Sequence, residues 1–141
     1  DAACSRAEAL LDTSKPQDIS NTVYALALLR HRSEPFLDAA CERASERLSE
    51  FKPQEVSNTV YGCGLLGHES RGFLTRVCRH VPLRAGSFKA QELSNTIYAL
   101  GLLGYRDEDF VRSFCAHVRT RLGDLSPQDV STVLFALSAL V

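Results

Sequence analysis

The sequence predicts an all-α fold, an alpha-solenoid of 37-residue helix-turn-helix repeats with eight helices and about 3.8 repeats. Three observations predict it. Gln17, Gln54, Gln91 and Gln128 stand 37 residues apart, and each opens a copy of one phrase: PQDISNTVYALALL from Pro16, PQEVSNTVYGCGLL from Pro53, AQELSNTIYALGLL from Ala90 and PQDVSTVLFALSAL from Pro127. The segments between the phrases keep the same register, with Phe36, Phe73 and Phe110 at equivalent places. Both kinds of segment carry apolar residues at helical spacing, and no stretch alternates as a strand would. A repeat of this size buries its apolar face only by stacking on the next copy. The register divides residues 1–141, read as one domain, into a half repeat 1–13, repeats 14–50, 51–87 and 88–124, and a half repeat 125–141. Asp1 falls inside a helix of this register, so a piece of a longer array is expected.

The elements follow in order. Residues 1–13 share the register of the later half-exposed helices, Cys4 and Arg6 aligning with Cys41 and Arg43. Residues 16–30 form the first phrase helix, apolar nearly all round through Ile19, Val23, Leu26, Leu28 and Leu29, which is the mark of a buried helix. Pro16 suits a first helical turn, whose amide needs no partner, and Asp18 favours the positive helix start. Residues 34–49 form a second, amphipathic helix after Ser33 as N-cap. Phe36, Leu37, Ala40, Cys41, Ala44 and Leu48 make its apolar stripe, and Asp38, Glu42 and Glu46 lie opposite. The pattern repeats at 53–67, 71–85, 90–104, 108–122 and 127–141, with Ser70 and Asp107 as further N-caps and Ser126 and Asp129 giving the fullest start signal. Gly67 and Gly104 are placed to end their helices in a left-handed turn, where Arg30 stands in the first copy. Gly62, Gly64 and Gly101 fall inside phrase helices, which predicts close backbone approach between neighbouring repeats.

Composition narrows the function. The net charge of −1 and a pI near 6.5 run against a strongly basic nucleic-acid binder, although residues 71–141 hold 9 Lys+Arg against 6 Asp+Glu. No apolar run approaches the roughly 20 residues of a membrane span, so a soluble protein without membrane insertion is expected. Cys4, Cys41, Cys78 and Cys115 are 37 apart, so they are stacked equivalents about 8–10 Å from one another, too far for a disulfide or a shared metal. They read, with Cys63, as reduced packing residues. His31 and His68 align with Tyr105, and His80 and His117 with Arg6 and Arg43, exchanges that no catalytic role permits. No catalytic or cofactor motif occurs, so neither an enzyme, a cofactor, a metal nor a small-molecule substrate is expected.

Binding, if any, must then lie in columns. Gln17, Gln54 and Gln91 with Asn21, Asn58 and Asn95 run along the phrase helices beside Tyr24, Tyr61 and Tyr98. Two readings compete: the asparagines bond neighbouring repeats, or the amides and rings line a groove that stacks and hydrogen-bonds bases. The last copy has Phe135 for the ring and Thr132 for the amide. A second set is basic: Arg43, His80 and His117 in one column behind Arg6, then Arg47, Arg84 and Arg121 one turn later, and Lys15, Lys52 and Lys89 at the phrase-helix starts. Spaced cations on a rigid rod either keep it soluble or match a polyanion's phosphates.

The phrase PQ-x-x-SNT-x-Y-A-L-x-L-L-G in a 37-residue paired-helix repeat resembles the heptatricopeptide and octotricopeptide repeat families over nearly the whole chain. Ser20-Asn21, Ser57-Asn58 and Ser94-Asn95 stand where the octotricopeptide motif has Ala-Asn, with tyrosine for its tryptophan. The helical-repeat proteins of mitochondrial RNA-editing complexes look similar too. The resemblance implies a non-catalytic solenoid that binds single-stranded RNA in a mitochondrion or plastid, serving transcript processing, stability, editing or translation. The alternative it leaves is a protein-protein scaffold in a large organellar assembly such as a mitoribosome or membrane supercomplex. Leu134, Phe135, Leu137, Leu140 and Val141 leave the last helix without a polar cap, so either further repeats or a protein partner is expected to cover that face.

Overall fold

The computed structural model describes residues 1–141 as eight α-helices and no strand: α1 (Ala2–Ala9), α2 (Pro16–Leu28), α3 (Glu34–Glu46), α4 (Pro53–Leu66), α5 (Arg71–Leu83), α6 (Ala90–Leu103), α7 (Glu108–Val118) and α8 (Pro127–Leu140). The phrase helices α2, α4, α6 and α8 pack each on the next, and α1, α3, α5 and α7 do the same in a second row. Residues 37 apart in sequence therefore sit on touching helices.

Each phrase helix starts and stops by the chemistry its ends encode. The carboxylate of Asp18, Glu55 or Glu92 accepts from the backbone amide of Lys15 (3.0 Å), Lys52 (2.8 Å) or Lys89 (2.8 Å). Lysine offers no acceptor in return, so only half a capping box forms there. Ser126 and Asp129 complete both halves at α8, each bond 3.0 Å. Gly67 (φ 67°) and Gly104 (φ 65°) turn left-handed as expected, and Arg30 adopts the same conformation at φ 54°. The turn lets the next amide bond back: His31, His68 and Tyr105 donate to the carbonyls of Leu26, Cys63 and Leu100 at 2.9, 2.9 and 3.0 Å.

The second-row helices are shorter than the sequence suggests. Instead of running to 13, 49, 85 and 122, they end at Ala9, Glu46, Leu83 and Val118 and pass into 3-10 turns at Leu11–Thr13, Leu48–Glu50, Ala85–Ser87 and Arg119–Asp124. The breaks at Arg47 (φ −122°, ψ 21°), Arg84 (−125°, 16°) and Arg121 (−130°, 24°) bend the chain back toward the core. Phe51 and Phe88, 2% and 1% exposed, are buried by that bend ahead of the next phrase helix. Of the expected N-caps, Asp107 accepts from Phe110 N at 2.9 Å, whereas the hydroxyls of Ser33 and Ser70 make no cap bond.

The core lies between the rows, built from Ile19, Val23, Val56, Val60, Leu93 and Ile97 against Phe36, Leu37, Phe73, Leu74 and Phe110. Within the phrase row the helices touch through small residues. A Cβ on Gly64 would come 2.8 Å from both Cα and Cβ of Ala99, one on Gly62 2.8 Å from a Val23 methyl, and one on Gly101 3.0 Å from Ala136 Cα. The predicted close approach is thus present, and any side chain would wedge it open.

Candidate nucleic-acid interface

The amide and lysine columns share the outer edge of the phrase row. Gln17, Gln54, Gln91 and Asn21 are exposed and Asn58 and Asn95 half-exposed, as are Tyr24, Tyr61 and Tyr98. Between phrase helices the side-chain hydrogen bond comes from a neighbouring serine, Ser57 Oγ donating to the carbonyl of Glu92 at 3.0 Å, not from asparagine. The asparagines are therefore surface groups of the half-open face. The tyrosines make a ladder: ring centroids are 6.2 Å apart from Tyr24 to Tyr61, 6.2 Å from Tyr61 to Tyr98 and 5.4 Å from Tyr98 to Phe135. Burial, then its two tyrosine neighbours, push the pKa of the Tyr61 hydroxyl up, so Tyr61 is a neutral phenol that can donate.

Between the starts of α6 and α8 a polar groove of about 500 Å³ brings together Lys89, Gln91, Asn95, Arg121, Ser126 and Gln128. Four of these, Lys89, Gln91, Asn95 and Arg121, are sequence-predicted site residues from four different columns. Lys15 and Lys52 are exposed at the equivalent places on α2 and α4. The groove's amides, ammonium and hydroxyl offer donors and acceptors together, and Asp124 and Asp129 on its wall confine where an anion can sit.

The arginine columns behave differently from a free phosphate track. Arg47 Nη1 donates to the carbonyl of Ser14 at 2.7 Å and pairs with Glu50 at 3.2 Å; Arg121 Nη1 donates to the carbonyl of Phe88 at 2.6 Å and pairs with Asp124 at 3.4 Å. Both arginines stand at helix breaks, so their side chains lie back over the preceding repeat's turn and pin it. Arg43 pairs with Asp12 and Glu46. Arg84, in the same column as Arg47, is exposed. His80 is half-buried; burial first, then Arg84, lowers its pKa, so it is neutral at neutral pH. His117 is half-buried, with Nε2 3.4 Å from Arg121 Nη1. Of the basic residues singled out in the sequence, Arg6, the lysine ladder and Arg84 keep exposed charge, and Arg121 reaches the groove while serving a structural bond.

The sequence reading missed Arg76 and Arg79. Both are exposed on α5 beside His80, around a shallow depression. Column logic hides them, because the equivalents of Arg76 are Ala39 and Ser113 and those of Arg79 are Glu42 and Ala116. No helix of the chain is long and apolar enough to cross a membrane. No family model matches the chain, and no curated protein matches it significantly.

Proposed function

We propose that the chain is a segment of an alpha-solenoid that binds single-stranded RNA without catalysing a reaction. The observation that carries this reading is the convergence of Lys89, Gln91, Asn95 and Gln128 in one polar groove beside the half-exposed tyrosine ladder. Base–aromatic stacking contributes about 1–3 kcal/mol per base, and amides can meet base edges only where bases are unpaired. A lysine ladder supplies the phosphate attraction. The resemblance of the repeat phrase to the octotricopeptide type supports action on organellar transcripts, in a mitochondrion or plastid. Fluorescence anisotropy with a labelled single-stranded RNA tests it. Affinity should fall with added salt, exceed that for duplex RNA, and drop about tenfold or more in Lys52→Ala/Lys89→Ala/Gln91→Ala; binding indifferent to all three changes would refute the reading.

A specific observation favours a second reading, a protein scaffold. Val130 and Leu134 on α8 are 41% and 61% exposed, while their equivalents Ile19, Val56 and Leu93 and Val23, Val60 and Ile97 are at most 4% exposed. That face has the composition of an inter-helix contact. Light scattering that shows association, lost in Leu134→Lys, together with no RNA affinity, would favour the scaffold.

A further inference from the structure

Equivalent cysteines were expected to stay apart, but Cys41 meets a cysteine of a different column. Cys41 on α3 and Cys63 on α4 are 0% and 1% exposed, with their Sγ atoms 3.6 Å apart. The equivalents of Cys63 are Leu26, Leu100 and Leu137, so this sulfur pair forms in one repeat alone. Two sulfurs held by one tetrahedral zinc ion at roughly 2.3 Å each stand about 3.7 Å apart. The pair already has that spacing.

His68 reaches the same place. The left-handed turn at Gly67 and the bond from its own amide to the Cys63 carbonyl fix its backbone, and its ring is 2% exposed. Nε2 lies 3.1 Å from Asp38 Oδ1 and Nδ1 3.2 Å from Glu34 Oε2, yet neither nitrogen has a hydrogen bond of proper geometry. A buried polar group left so is destabilising until a partner satisfies it. An imidazole nitrogen and a carboxylate oxygen that share a zinc ion stand about 3.3 Å apart, close to the observed contact.

The columns make the same point independently. Asp1, Cys4 and His31, one period before Asp38, Cys41 and His68, have ligand atoms all within 4.8 Å of one another, and in the middle set Glu34, Asp38 and His68 meet the same spacing beside the cysteine pair. In the following repeat Thr75 and Tyr105 replace the acid and the histidine and bond each other at 2.7 Å, leaving Cys78 without ligating company. Only the middle set gains a fourth donor, Cys63.

We propose that Asp38, Cys41, Cys63 and His68 form a binding site for a zinc-class divalent cation that ties α3 to the end of α4. Two thiolates, an imidazole and a carboxylate suit tetrahedral zinc, and the donors stand as two close pairs, Cys41 with Cys63 and His68 with Asp38, which the ion would draw together. Glu34, on the other ring nitrogen, orients the histidine as carboxylates commonly do at metal sites. Asp38 and Glu34 are 69% and 51% exposed at the side chain and give the ion an approach from solvent. The thiol protons leave to solvent as the ion binds.

Cobalt(II), added to the reduced full chain, is the probe. One equivalent should produce thiolate-to-cobalt charge transfer and the visible bands of a tetrahedral site, both erased by stoichiometric zinc. Cys63→Leu copies the residue of the equivalent positions and so keeps the core filled; it and His68→Gln should weaken binding at least tenfold, while Cys78→Ala leaves it unchanged. Thermal melts of the same variants confirm that each is folded. Absence of the bands in the reduced protein, bands that persist in Cys63→Leu, or a Cys41–Cys63 disulfide forming in a protein that takes up no metal would each overturn the site.

Discussion

Arg30 stands where its two equivalents are glycine, and it adopts φ 54° all the same. A left-handed conformation costs a side chain about 1 kcal/mol that glycine avoids, partly offset by glycine's greater freedom in the unfolded chain. Arg30→Gly should therefore raise stability by about 0.5–1 kcal/mol, seen as a melting temperature some 2–4 °C higher. A lower melting temperature would mean that the exposed guanidinium contributes more than the turn costs. The residue after this position shows how columns co-vary in space: His31 meets Asp1 at 3.1 Å, His68 meets Asp38 at 3.1 Å, and Tyr105 meets Thr75 at 2.7 Å. The loops after α2, α4 and α6 thus meet the start of the second-row helix before them, through a histidine–carboxylate contact or a neutral bond. In the sequence alone these histidines were visible as exchangeable with tyrosine, but the partner that exchanges with them was not, because it lies 30 positions upstream.

At the scale of elements, the four 3-10 turns decide how tightly the rows close. Leu11 and Leu48 in these turns are 4% and 7% exposed, whereas the equivalent of both in the third turn is Ala85. A small cavity of about 60 Å³ lies there, lined by Ala85, Leu93, Phe110 and Phe114 among others. The smaller side chain leaves a leucine-shaped gap, so Ala85→Leu should fill it and stabilise the protein by about 1 kcal/mol, measurable in urea unfolding as a higher midpoint with an unchanged slope. A lower midpoint would show that α5 and α7 cannot yield the last few tenths of an ångström. The period, the eight helices and the glycine ends were legible in the sequence because each is a local signal repeated in register. The breaks at Arg47, Arg84 and Arg121 were not. Arginine is a good helix former, and nothing local reveals that the side chains of Arg47 and Arg121 reach a carbonyl of the preceding repeat, while Arg84 breaks its helix without such a bond. For the same reason the structural bonds of Arg47 and Arg121 were hidden in a column legible only as a solvated flank or a phosphate track, while the lysines, at helix starts, are exposed.

Across the whole molecule, stability is carried from repeat to repeat through a few backbone contacts, and the phrase row is the tighter of the two. Gly64 and Gly72 separate this effect from helix propensity. Both are helical, and replacing either by alanine gains up to about 1 kcal/mol of intrinsic propensity. At Gly72 a Cβ meets nothing within 4 Å, so Gly72→Ala should realise that gain. At Gly64 the Cβ would press on Ala99 backbone and side chain at 2.8 Å, so α4 and α6 must part, at a cost of about 1–3 kcal/mol that outweighs the gain. In an array whose units contact only their neighbours, a weakened junction also lets the two sides open separately. Gly64→Ala should thus lower the melting temperature and, in native-state hydrogen exchange, make amides of α6–α8 exchange by a lower-energy opening than those of α2–α4. If Gly64→Ala and Gly72→Ala shift stability alike, close helix contact does not couple the repeats, and the amide and lysine columns lose the rigid spacing on which their common face depends.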